Sequence, residues 1–129
     1  VKKLLLLPLI LAACGAQNDP RVGVWHGELL STAACAGDVG MQPLPSSARW
    51  VIGEDEQGLT LWVGDSCENL RVDAQGNPRG ACASNSTAIG GRLDLEADGL
   101  HTELNTVWTD GSSSCKGRAS GMLYPSNDR

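Results

Sequence analysis

The chain has 129 residues, 10 basic and 15 acidic side chains, five cysteines, 16 glycines and no phenylalanine. That length makes one domain, and 41% hydrophobic with 19% charged residues fits neither a disordered tail nor a multi-span membrane protein. A formal charge of −5 argues against a nucleic-acid partner, which needs a basic face to displace counterions.

Residues 1–13 have the pattern of a secretory signal. Lys2-Lys3 supplies a basic start, and Leu4 to Leu11 is an apolar run broken only by Pro8. The run falls short of the roughly 20 apolar residues that span a bilayer. At its end, Leu11-Ala12-Ala13-Cys14 resembles the lipobox of bacterial lipoproteins. The resemblance implies cleavage before Cys14, a diacylglycerol thioether on its sulfur and an acyl group on its amine. Two or more chains on one residue make a durable anchor. Such lipoproteins with aspartate after the cysteine are held at the inner membrane. Gly15 stands there, so the resemblance implies an outer-membrane location, with the membrane as first partner. Residues 14–21 form the lipidated N-terminus and a polar linker, 22–125 the folded domain, and 126–129 a short tail.

Removing residues 1–13 takes Lys2 and Lys3 with it, so the remaining domain is more acidic than the whole chain. It keeps Cys35, Cys67, Cys82 and Cys115. An even set in an exported small domain points to two disulfides. Asp73-Ala74-Gln75-Gly76-Asn77-Pro78 is a turn cluster about midway between Cys67 and Cys82. Four cysteines allow three pairings, which the sequence alone leaves open; a hairpin centred on this turn would bring Cys67 to Cys82 and leave Cys35 for Cys115. No two of these cysteines have the close spacing of a zinc site. No metal and no cofactor are expected.

Period-two alternation dominates, and no window sustains a helical period. The expected fold is all-β: an antiparallel meander of about eight short strands, closed as a small barrel or folded as a sandwich. The strands fall at about 22–32, 48–53, 59–65, 68–73, 80–83, 87–96, 100–108 and 115–124. Residues 33–47, with Gly37, Gly40, Pro43 and Pro45, make a longer loop. Leu100, Thr102, Leu104, Thr106 and Trp108 share one face, with His101, Glu103, Asn105 and Val107 opposite. Ile89, Gly91, Leu93 and Leu95 likewise share a face. Asp-Gly pairs at Asp98-Gly99 and Asp110-Gly111 mark hairpins.

Gly23-Val24-Trp25 resembles the Gly-x-Trp that opens lipocalin-like and avidin-like barrels. In lipocalins an arginine of the last strand packs on that tryptophan, a role the resemblance gives to Arg118. The whole domain is similar to small β-rich lipoproteins of myxobacterial type, which implies a fold and not an activity. With so few other aromatics, Trp25, Trp50, Trp62 and Trp108 are the candidate large core or pocket groups.

Several short motifs carry competing chemistry. Gly64-Asp65-Ser66 resembles the block of lipase-like hydrolases, but the crossover helices and Asp-x-x-His that fold requires are missing. Asp94-Leu95-Glu96-Ala97-Asp98-Gly99 spaces oxygens like half of a calcium loop without the closing glutamate. Glu54-Asp55-Glu56 sits at a solvated hairpin tip with no apolar pocket. His26 beside Glu28 and His101 beside Glu103 lie on polar faces. Asn85-Ser86-Thr87 matches a glycosylation sequon. Ser120-Gly121 with Tyr124 resembles a segment of periplasmic lysozyme inhibitors. That likeness implies a basic protein target steered to an acidic domain.

The sequence therefore implies a lipid-anchored, non-enzymatic protein of the cell envelope, with a binding or structural role. Two alternatives stand beside it: inhibition of lysozyme or another envelope protein, and binding of a small hydrophobic ligand in lipocalin fashion. The partner is an envelope protein or a small ligand.

Overall fold

The computed structural model describes residues 19–37, 42–64, 67–82 and 85–126. The expected signal segment 1–13, Cys14 with Gly15, Asp65-Ser66 and residues 127–129 lie outside the described residues.

Eight strands follow in order: β1 Gly23–Cys35, β2 Leu44–Asp55, β3 Gly58–Trp62, β4 Leu70–Val72, β5 Pro78–Ala81, β6 Thr87–Glu96, β7 Gly99–Asp110 and β8 Ser113–Pro125. Each pairs antiparallel with the next, and β8 returns to β1, which closes a barrel. Of the two architectures left open by the alternation, the barrel is the one formed. Closure removes the sheet edges a sandwich would keep.

The meander gives the barrel two unlike ends. The connections β2–β3, β4–β5 and β6–β7 lie at one end, here the base, together with the start of β1 and the end of β8. The connections β1–β2, β3–β4, β5–β6 and β7–β8 lie at the other, here the top. Strands β3, β4 and β5 are short, with 5, 3 and 4 residues, while β1 and β8 have 13 each. The longer strands therefore rise past the shorter ones as an extended sheet.

Four strands, β1, β2, β7 and β8, run further than their alternation predicts, β1 and β2 the furthest, while β3 and β4 stop short at Trp62 and Val72. β1 continues to Cys35 because Leu30–Cys35 pairs with Cys115–Ser120 of β8. β2 begins at Leu44, so the expected loop over 33–47 shrinks to the segment between Cys35 and Leu44. Pro45 is tolerated there because β3 reaches only Val51, which leaves the first half of β2 as an edge on that side.

A register shift between Ala88 and Gly90 alters the faces of β6. Ala88, 2% exposed, points into the barrel, and Ile89 stands outside at 47%. Strict alternation had placed Ile89 with Leu93 on one face. The bulge adds one residue and reverses the parity.

Inward side chains fill the basal half. Trp25 faces Trp50 across the β1–β2 pair, and both are buried. Ile52, Leu61, Leu70, Leu93, Leu100 and Leu123 complete the core. Thr102 is buried among them, and its hydroxyl donates to the Gly121 carbonyl at 3.1 Å, which satisfies it. Gly91 is obligatory at its position. Its φ is +150°, and a Cβ there would overlap the Glu103 carbonyl.

Two disulfides staple the frame, Cys35–Cys115 and Cys67–Cys82. The first joins residues in direct register on β1 and β8 at the top. The second brackets the β4–β5 hairpin, whose turn is the cluster at Asp73–Pro78. They close separations of 80 and 15 residues, worth about 4 and about 3 kcal/mol in the chain-entropy account.

Candidate ligand groove

The base is plugged by the segment that leads into β1. Asp19 Oδ1 accepts from Arg21 N and Nε, both at 2.9 Å, and Oδ2 accepts from Nη2 at 2.7 Å. Arg21 Nη1 donates to the Leu93 carbonyl at 3.2 Å, and Trp25 Nε1 donates to the Arg21 carbonyl at 2.8 Å. The plug thus ties β1 to β6 across the basal opening. Its guanidinium holds the Asp19 carboxyl below the usual aspartate range.

Arg118 does not meet Trp25. Trp25 stands beside Pro125 on β8, whereas Arg118 stands beside Thr32, seven residues further up β1. An odd offset along a strand reverses the face, so Trp25 points in and Arg118 points out. Arg118 Nη2 donates instead to Glu103 Oε1 at 2.8 Å, and Asn105 Nδ2 donates to Oε2 at 2.9 Å. Both bonds favour the charged carboxylate and lower the Glu103 pKa, Arg118 first. Arg21 is the arginine next to Trp25, and it makes contact through its backbone.

The tryptophans divide by face. Trp25 and Trp50 belong to the core. Trp62 is on the outside, under the guanidinium of Arg49 at 5.9 Å from the ring centre. Trp108 is half-buried on the inner face near the top, where its ring lies across Gly117.

The other candidates scatter. His26 and His101 lie on the outer face on β1 and β7, with β8 between them. His101 Nδ1 is 3.5 Å from Glu96 Oε2, across the β6–β7 hairpin rather than beside Glu103. Asp94 Oδ2 accepts from Arg92 Nε at 2.9 Å, so that carboxylate belongs to an ion pair. Of the Glu54–Glu56 tip, Asp55 is gripped by Arg71 through two bonds of 2.7 Å. That grip, with help from the Gln57 N–H, brings its pKa down to about 2. Among the described residues, no three His, Cys, Asp or Glu side chains converge as metal ligands do.

Three concavities stand out among the described residues. A basal cleft of about 310 Å3 lies between the plug and the β2–β3 and β4–β5 turns, lined by Asp19, Arg21, Glu54, Leu59, Val72 and Asp73. An inner hollow of about 230 Å3 at the top is lined by Ser31, Ala33, Leu104, Thr106, Trp108 and Ala119. The largest, about 450 Å3, is on the outside of the upper sheet and crosses β6, β7, β8 and β1. Its size is that of a small-molecule site, roughly 300–1,000 Å3.

Register explains this outer groove. One outward row reads Val107, Lys116, Ala34 across β7, β8 and β1. The next outward row reads Gly90, Asn105, Arg118, Thr32 across β6 to β1. Between them runs an inward row, Ala88, Thr106, Gly117, Ala33, which leaves only backbone on the outer surface. The bulged Ile89 adds an apolar wall at the β6 end.

Sequence reasoning missed this site. Val107 was legible as one apolar residue on an otherwise polar face, but the outward turn of Ile89 needs the bulge. The juxtaposition of Lys116 with Ala34 and Thr32 needs the β1–β8 closure. No family model, no curated protein and no solved structure matches the chain.

Proposed function

We propose that the protein is a lipid-anchored, non-enzymatic binding domain of the cell envelope, tethered through Cys14 and presenting the top of its barrel away from the membrane. The carrying observation is the polarity of the fold. The N-terminal plug enters at the base, while Cys35–Cys115 and the largest groove lie towards the opposite end. Four residues lie between Cys14 and Asp19, a span of about 17 Å when extended. A lipid on Cys14 therefore keeps the base nearest the bilayer. The two disulfides support export, since such bonds persist in oxidising compartments. The lipobox resemblance and Gly15 favour the outer membrane.

The small-ligand reading has a specific observation behind it. The basal interior is packed, and of the two concavities within the small-molecule range, the basal cleft and the outer groove, the outer groove is the larger; neither is the barrel lumen.

Globomycin treatment and Cys14→Ala test the anchor. The expected result is an uncleaved or unlipidated precursor that no longer partitions with outer membranes. Normal processing of the variant would overturn the tether.

A further inference from the structure

We propose that the outer groove binds a medium-chain fatty-acid carboxylate, its head at Lys116 and Arg118 and its tail across Val107 to Ile89. This deepens the binding-domain reading and rests on it, but it does not depend on the lipid anchor.

The first argument is the chemistry of the groove. Its apolar walls come from Val107, Ile89 and Ala34, with the methyl of Thr32. Ile89, a β-branched side chain near the start of β6, is 47% exposed, one of five large apolar side chains so placed among the described residues and the one of them that lines this groove. Its tail-side wall runs from β8 to β6, two strand spacings or about 10 Å. That is shorter than the roughly 15 Å taken by one leaflet of a bilayer core about 30 Å thick. A medium-length chain fits this run better than a long membrane lipid tail.

The head group follows from charge. Lys116 is exposed and makes no ion pair among the described residues. It is the chain's one lysine after Lys3. Arg118, its neighbour two residues along β8, keeps 58% of its side chain exposed while it pairs with Glu103. One unpaired cation, Lys116, thus stands at an apolar channel, with Arg118 beside it already paired to Glu103.

The second argument is independent and concerns the whole field. Carboxylates crowd the base: Asp19, the Glu54–Glu56 tip, Asp73, Glu96 and Asp98. Arg21, Arg71 and Arg79 each pair with one of them. Glu68 and Asp110 stand at the top as well, so the field is acidic at both ends, and Lys116, which no carboxylate among the described residues pairs, is a local exception to it at the groove. A carboxylate head with an apolar tail answers both the charge and the surface.

The experiment is site-resolved photolabelling. The full-length lipidated protein, in nanodiscs of zwitterionic lipid, is irradiated with a diazirine-bearing decanoate, and the labelled residues are mapped by mass spectrometry. Labelling is expected on the peptides carrying Ile89 and Val107, with competition by plain decanoate. Lys116→Glu should reduce it at least tenfold with an unchanged melting temperature, and decanol should compete at least tenfold more weakly than decanoate. Labels confined to other surfaces, or indifference to Lys116→Glu, would overturn the groove assignment. Equal competition by decanol would overturn the anionic head. The Cys14→Ala chain separates this from the anchor: groove labelling should persist when membrane attachment is lost. A protein that is anchored but unlabelled removes this proposal alone.

Discussion

The indole N–H of Trp25 donates to the backbone carbonyl of Arg21 at 2.8 Å. One bond thus couples the basal plug to the first core residue of β1. Trp25→Phe keeps most of the apolar bulk and removes the donor. It is expected to cost about 1–2 kcal/mol, the net worth of a partly buried hydrogen bond plus some packing loss. Chemical denaturation measures it. Amide exchange should quicken at Val22, whose N–H donates to the Asp19 carbonyl within the same plug.

Trp50 and Trp62 are separated by what they touch. Trp50 is 3% exposed in the core, so Trp50→Ala should cost about 3–5 kcal/mol. Trp62 lies outside beneath Arg49. A double-mutant cycle on Arg49→Ala and Trp62→Ala should return a coupling of about 0.5–1 kcal/mol. Equal losses for Trp50→Ala and Trp62→Ala would contradict this placement of the two rings.

Removal of the disulfides should produce graded losses. Cys35→Ser with Cys115→Ser is expected to lose about 4 kcal/mol, and Cys67→Ser with Cys82→Ser about 3 kcal/mol, following loop length. Non-reducing peptide mapping should return these two bridges. Mixed pairings in the native protein would refute the register of β1 with β8.

Acid should weaken the fold. The Asp19, Asp55, Asp73 and Glu103 carboxyls are all held below their ordinary values. For Asp19, Asp55 and Glu103 the leading cause is an arginine donor, and for Asp73 it is the Asn77 N–H. A carboxyl depressed in the folded state contributes stability that is complete above its unfolded pKa, near 4, and fades as pH falls through its folded pKa. Melting temperature should therefore decline from about pH 4 downward. Carbon-13 titration should place Asp55 at about 2, and Arg71→Ala should return it towards the ordinary range.

Local chemistry made much of the frame readable in one dimension. Alternation along Leu100–Trp108 identifies β7 because a strand sends successive side chains to opposite faces. The turn cluster at Asp73–Pro78 marks the hairpin and favours the pairing of Cys67 with Cys82, which the register then decides. The lipobox resemblance at Leu11–Cys14 is equally local, since it rests on a short contiguous segment. Closure is different. That β8 comes back to β1, that β1 continues to Cys35, and that Arg118 stands outside while Trp25 stands inside all depend on register between strands some 80 residues apart. The one-residue bulge at Ala88–Gly90 shows the same dependence, because a single extra residue turns Ile89 from core to surface. The groove exists only where these long-range registers meet, so the acidic, cysteine-stapled character of the protein was visible in its residues and its ligand-sized surface was not.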